Sequence, residues 1–136
     1  MKKRLVGALC ASILWACTQP ASVPSRAPEP PQVFTADCNN LRMQFTLQRK
    51  PRSAPTYEIY ITDQSGQPLP EGARVIVAFT SVGKHISTTT VVAQPQGAGR
   101  YGPAGGFTLS PGAWQIEAIV RQVNGTETVC VFAFGV

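Results

Sequence analysis

The chain has 136 residues, 43% of them hydrophobic and 14% charged, with twelve basic residues against seven acidic. That length holds one domain. The formal charge of +5 is concentrated at the start: without Lys2, Lys3 and Arg4, nine basic and seven acidic residues remain, a net of +2. No block of like charge is long enough for a nucleic-acid footprint.

Residues 1–16 have a secretory layout, Met1-Lys2-Lys3-Arg4 followed by an uncharged apolar run from Leu5 to Ala16. The run is too short to span a bilayer and reads as a removable signal peptide. It ends in Leu14-Trp15-Ala16-Cys17, which resembles the bacterial lipobox. That resemblance implies an acyl anchor on Cys17 after cleavage; cleavage by an ordinary signal peptidase, leaving Cys17 as a plain thiol, is the alternative. Cys10 leaves with the signal peptide, so Cys38 and Cys130 remain as an even pair in an oxidising compartment. A bond between them would close a loop of about 90 residues and contribute roughly 4–5 kcal/mol through loop-closure entropy. Two buried free thiols are the other reading of this pair.

Residues 17–33 form a lipidated Pro-rich linker, with Pro20, Pro24, Pro28, Pro30 and Pro31 among Ala, Ser and Gln. Such a segment favours polyproline II and acts as a semi-rigid spacer, reaching up to about 45 Å from the lipid surface. A role as a PxxP ligand is the less economical reading. The folded domain is expected over residues 34–136.

Within it, Leu41, Met43, Phe45 and Leu47 alternate with polar residues, the pattern of a half-buried strand. The basic run Arg49-Lys50-Pro51-Arg52 reads as a loop tip. A second strand is expected over residues 56–62, with Tyr57, Ile59 and Ile61 on one face. After turn chemistry at Asp63–Pro68, a third covers residues 73–80, with Val75, Val77 and Phe79 on one side and Ile76 and Ala78 on the other. Residues 81–85 read as a loop, 86–93 as a strand rich in Ser, Thr and Val, and 107–109 as a short strand.

The Gly/Pro-rich stretch after Gly97 delivers Trp114, Ile116, Ala118 and Val120, which share one face of the expected central core strand. Tyr101, Trp114 and Ile116 are the residues expected to define the core. Asn124-Gly125 is a hairpin signal for a two-residue type I′ turn. With that loop, Val123 faces Thr126 and Ile119 pairs with Cys130. Val129, Val131 and Ala133 then join the core face, whereas Cys130, Phe132 and Phe134 point outward, to be covered by the segment around Cys38. No window after residue 16 shows helical periodicity. About seven antiparallel strands in roughly 100 residues indicate an all-β, immunoglobulin-like sandwich.

Catalytic chemistry finds little support. Gly97-Ala98-Gly99-Arg100-Tyr101-Gly102 matches G-x-G-x-x-G, but Pro103, Gly105 and Gly106 forbid the helix that a dinucleotide site needs. His85 is the single histidine and has no cysteine or carboxylate near it in sequence for a metal site or a nucleophile's base. Glu58, Glu71, Glu117 and Glu127 are scattered, and Glu117 is expected to face solvent or pair with Arg121. Neither a catalytic residue, a cofactor nor a metal is expected.

Gly66 and Pro68 before Ala73-x-Val75, Gly99-x-Tyr101, and Gly112-x-Trp114-x-Ile116 resemble the YtkA-like family, which includes FixH-type proteins and is similar in architecture to the CopC-like copper-binding sandwiches. The likeness covers roughly residues 57–120. It implies a small exported or membrane-anchored domain that accompanies assembly of copper-containing respiratory oxidases. Relatives carry methionines or a histidine between the third and fourth strands; here only His85 stands there, and Met43 lies in an alternating strand, so one imidazole does not make a copper site. The expectation is a lipoprotein in the cell envelope with a non-catalytic binding or accessory module. It would be held to a bacterial membrane by its anchor and contact another envelope protein. Thr18, where an aspartate would signal retention, favours the outer membrane if the cell has one.

Overall fold

The computed structural model describes residues 27–51, 53–83, 87–104 and 108–136. Cys17, Arg52 and His85 lie outside the described residues, as do the signal peptide and the larger part of the linker. Eight strands follow in chain order: β1 (Gln32–Cys38), β2 (Leu41–Gln48), β3 (Thr56–Asp63), β4 (Arg74–Ser81), β5 (Ser87–Gly97), β6 (Arg100–Gly102), β7 (Ala113–Arg121) and β8 (Glu127–Gly135). No helix occurs among the described residues. All pairings are antiparallel, in the single order β1-β2-β3-β6-β5-β4-β7-β8.

The sheet closes almost completely into a barrel. Its continuity depends on β5, whose first part pairs with β4 and whose last residues pair with β6, with an irregularity between Pro95 and Gly97. A bulge at such a point bends a strand and lets it serve both halves. In place of the expected seven strands in two sheets, eight run in one hydrogen-bonded order. β1, at the end of the Pro-rich segment, and the three-residue β6 inside the glycine-rich stretch are additional, whereas Thr108 and Leu109 of the short strand expected over 107–109 lie in no strand and Phe107 is outside the described residues.

The expected alternations are the reason the interior forms. Leu41, Met43, Phe45 and Leu47 of β2, Tyr57, Ile59 and Ile61 of β3, and Val75, Val77 and Phe79 of β4 are all buried. Phe45 stands at the centre, with ring centroids 5.9 Å from Tyr57, 6.5 Å from Phe79 and 5.9 Å from Phe132. One aromatic thus joins both halves of the barrel, in stacked, tilted and edge-on geometries that add to the burial of area. Tyr101, Trp114 and Ile116 are buried, and the Trp114 indole Nε1–H donates to the Ser110 carbonyl at 2.8 Å.

The last hairpin departs from expectation in a physically definite way. Gly125 N–H donates to the Gln122 carbonyl at 3.0 Å, and Gln122 N–H donates to the Thr126 carbonyl at 2.8 Å. Gly125 has φ 85°, whereas Asn124 is not among the residues of positive φ. This is a three-residue loop, a turn followed by a left-handed glycine, and not the two-residue type I′ turn. The change moves the register by one: Ala118 pairs with Cys130 and Ile119 with Val129. Every side chain of β8 therefore changes face. Cys130, Phe132 and Phe134 are buried, while Val129 and Val131 are 45% and 52% exposed.

The first and last strands meet at a seam held by side chains. Cys38 and Cys130 form a disulfide across it, with their Cα atoms 5.6 Å apart. Phe34 and Phe134 lie 5.6 Å apart between ring centroids, and Arg49 donates from Nη2 to the Gly135 carbonyl at 3.2 Å. The cysteines clip the first strand to the last, as expected, but from inside the barrel rather than from its outer face.

Candidate functional site

The antiparallel order places the connections at two opposite ends. Residues 27–31 arrive at one end, where Glu29 Oε2 lies 3.9 Å from Arg49 Nη1. Residues 49–55 and the carboxyl terminus share this end. The opposite, distal end carries the 39–40 turn, the 64–73 connection, the 98–99 turn and the 122–126 loop.

Two features make the distal end rigid. Asp63 organises the connection after β3: its Oδ1 accepts from Ser65 N–H at 2.8 Å, Ser65 Oγ–H at 2.6 Å and Gln67 N–H at 3.0 Å. The Ser65 side-chain bond, followed by the Gln67 amide, holds its carboxyl below the usual carboxylate range. The chain then returns so that Leu69 N–H donates to Ile61 O and Ile61 N–H donates to Gly99 O, each at 2.9 Å. The glycine-rich stretch joins here. Gly97, Ala98 and Gly99 have φ of 87°, 50° and 73°, and Gly97 pairs with Arg100. Ala98 and Gly99 thus form the two-residue turn with both φ positive that the sequence suggested for Asn124-Gly125. The G-x-G-x-x-G letters span the end of β5, this turn and β6, so their glycines shape a hairpin.

Two recesses flank the 69–73 segment and share Leu69. The larger, of about 350 Å³, is bounded by Leu69, Glu71, Pro95, Tyr101 and the Gly97–Gly99 turn. The smaller, of about 210 Å³, lies between Pro70, Ala73 and the 122–124 stretch. Val123 is 76% exposed beside it, and a Cβ on Gly72 would meet the Val123 Cγ2 at 3.0 Å. Burial, followed by the charge of Glu71, pushes the Tyr101 phenol up.

The remaining charges are mostly taken up by neighbouring strands. Arg42 Nε is 2.7 Å from Asp37 Oδ1 across β1 and β2, and Arg121 Nε is 2.7 Å from Glu127 Oε2 across β7 and β8. Arg100 pairs with Glu58 and lies 4.9 Å over the Tyr60 ring. Glu117 accepts from Gln115 Nε2 at 3.2 Å, and the Arg121 expected beside it is taken by Glu127. Such exposed pairs fix local geometry more than they stabilise the fold. Among the described residues no group of three or more His, Cys, Asp or Glu side chains could hold a metal ion.

Reasoning from sequence singles out Tyr101 as core and leaves Glu71 as one of several scattered acids. The structure brings the two together at the distal recess. The signal for Glu71 is slight: Pro70-Glu71-Gly72 marks a turn, and only the tertiary approach of the 97–99 hairpin turns it into a wall. No family model, curated protein or solved structure matches the chain.

Proposed function

We propose that the chain is an exported bacterial lipoprotein, anchored by acyl chains on Cys17, whose β-domain is a non-catalytic binding or accessory module of the cell envelope. The observation that carries this reading is polarity along the barrel. The Pro-rich segment arrives at one end, and the 39–40, 64–73, 98–99 and 122–126 connections stand at the other, facing away from an anchored membrane. A module built this way presents its distal end to a partner while the spacer sets its height. Several acyl chains make attachment stable where one chain is marginal. Where the cell has an outer membrane, that is the favoured location on the strength of Thr18, with the domain facing the periplasm or the exterior.

Immunoglobulin-like kinship belongs to this proposal. The half-sheets β1-β2-β3-β6 and β5-β4-β7-β8 enclose the core between them, as the layers of a sandwich do. A second reading is a YtkA/FixH-like accessory of respiratory-oxidase or metal-centre assembly. In its favour, residues that carry the resemblance meet at one place: a Cβ on Gly99 would lie 3.2 Å from the Pro68 Cβ, with Tyr101 two residues on. These are fold-bearing contacts, so that reading draws its activity from the resemblance alone.

In-cell crosslinking of the anchored chain, with mass spectrometry of what it captures and Cys17→Ser as control, tests both. Capture of a specific envelope protein that depends on Cys17 supports the binding module. If the captured proteins are oxidase or copper-transport subunits, the assembly reading is favoured. Capture of wall polymer and abundant lipoproteins alone overturns both and leaves a structural surface domain.

A further inference from the structure

The sequence has seven acidic residues, and all of them lie among the described residues. Six have partners. Glu29, Asp37, Glu58 and Glu127 face Arg49, Arg42, Arg100 and Arg121. Asp63 accepts from the Ser65 and Gln67 amides, and Glu117 accepts from Gln115. The seventh is Glu71, with no donor among the described residues, and it stands at the larger distal recess.

Apart from the Tyr101 hydroxyl and Arg100, the rest of that recess is apolar or backbone. Leu69, Pro95 and Tyr101 supply the walls, and the Gly97–Gly99 turn offers no side chain beyond the methyl of Ala98. Arg100 also borders it, but its guanidinium is held by Glu58 above the Tyr60 ring. A carboxylate with no cationic partner among the described residues, over an aliphatic and aromatic trough, is complementary to one chemical class: a cationic head on an apolar stem. Lysine and arginine side chains have that construction, laying methylenes along apolar surface while the head reaches a polar partner.

We infer that the distal recess takes a basic side chain of a partner polypeptide, with Glu71 as its counter-ion and Leu69, Pro95 and Tyr101 against its stem. This rests on the binding-module reading and names the chemistry of its partner. A carboxylate makes charge-assisted hydrogen bonds to ammonium or guanidinium, roughly twice as strong as neutral ones.

The test is a titration of the full-length chain, in detergent, with capped lysine and capped arginine (Nα-acetyl amides), followed by amide NMR shifts. Saturable shifts are expected at Gly72 and at Gly97–Arg100. Uncharged capped norleucine and citrulline should bind on the order of tenfold more weakly, and Glu71→Gln should weaken the basic probes by a similar factor. Glu117→Gln, on the outer face of β7, should leave both unchanged. Non-saturating shifts, equal binding of charged and uncharged probes, or an unaffected Glu71→Gln chain would overturn the inference. Tighter binding of 1,4-diaminobutane than of capped lysine would overturn the polypeptide as source and assign the recess to free amines. Crosslinking of the anchored chain reads partner capture through any surface, so a partner captured equally by Glu71→Gln would sink the recess and spare the module.

Discussion

At Gly99 a methyl group would stand 2.5 Å from the Ile61 carbonyl oxygen and 3.2 Å from Leu69 N, and the residue's φ is 73°. Two penalties therefore coincide, left-handed backbone and a collision with main chain that cannot move aside. Gly99→Ala is expected to destabilise the domain by about 3 kcal/mol. Gly97 has a similar φ of 87°, but a methyl group there would meet nothing within 4 Å, so Gly97→Ala should cost only about 1 kcal/mol. Urea midpoints of the two variants separate close approach from backbone conformation; equal losses would mean that the approach at Ile61 has no energetic role. Tyr57 makes a different residue-scale statement. Burial pushes its phenol up to about 12, against about 10 when unfolded. The folded state thus resists releasing this proton. Its contribution is fully present below pH 10 and is lost as pH rises through about 12. Stability measured by urea titration should fall between pH 10 and 12, and Tyr57→Phe should reduce that slope, leaving the part that Tyr101 contributes.

Between strands, the 122–126 loop shows how one residue decides a face. Arg121 pairs with Glu127, and Gln122 bonds to Thr126, around three loop residues of which Val123 is 76% exposed. Removing Val123 leaves Asn124-Gly125 as a two-residue loop between the same flanking residues, and that dipeptide suits a type I′ turn. The deletion is expected to preserve the β7–β8 register and the disulfide, with stability within about 1 kcal/mol of the parent. Free-thiol titration and a thermal melt check it; loss of the disulfide would show that Val123 sets the register. The same loop marks the limit of what the sequence made legible. Asn-Gly permits both a two-residue and a three-residue loop, and the choice lies in pairing further along. Strands β2, β3, β4 and β7 could be read because each buries one face and so writes its period into the sequence. The burial of β1 is too shallow for that, with not one fully buried residue among its seven. β6 has three residues, the last of them Gly102, too few for any period. Closure of the halves through β5, and the meeting of Glu71 with Tyr101, are tertiary facts with no local signature.

For the whole molecule, the topology makes the first and last strands neighbours, and the disulfide joins residues 92 positions apart. The other neighbouring strands are joined by hydrogen-bonded ladders, whereas the seam is described by the disulfide, the Phe34–Phe134 contact and the Arg49 bond to Gly135. The covalent link therefore closes the barrel where the ladder does not. A loop of this length removes about 4–5 kcal/mol of unfolded-state entropy in the simplest account, and measured values fall lower. Cys38→Ala/Cys130→Ala is expected to lose about 2–4 kcal/mol, partly because the buried Cys130 sulfur also leaves the core. The location of the loss is as informative as its size. β1, with no fully buried residue and one ladder partner, should open first, so hydrogen exchange at positions 34, 36 and 38 should accelerate far more than that of Phe45 or Ile59. Refolding should respond as well. A barrel closed by its chain ends has to meet the entropy of long-range closure before its contacts reward it, and an intact disulfide supplies that closure in advance. Stopped-flow refolding of the oxidised chain should be faster than that of the double variant. Equal rates with unequal stability would mean that the seam forms after the folding barrier, and that β1 docks onto a barrel already built from β2 to β8.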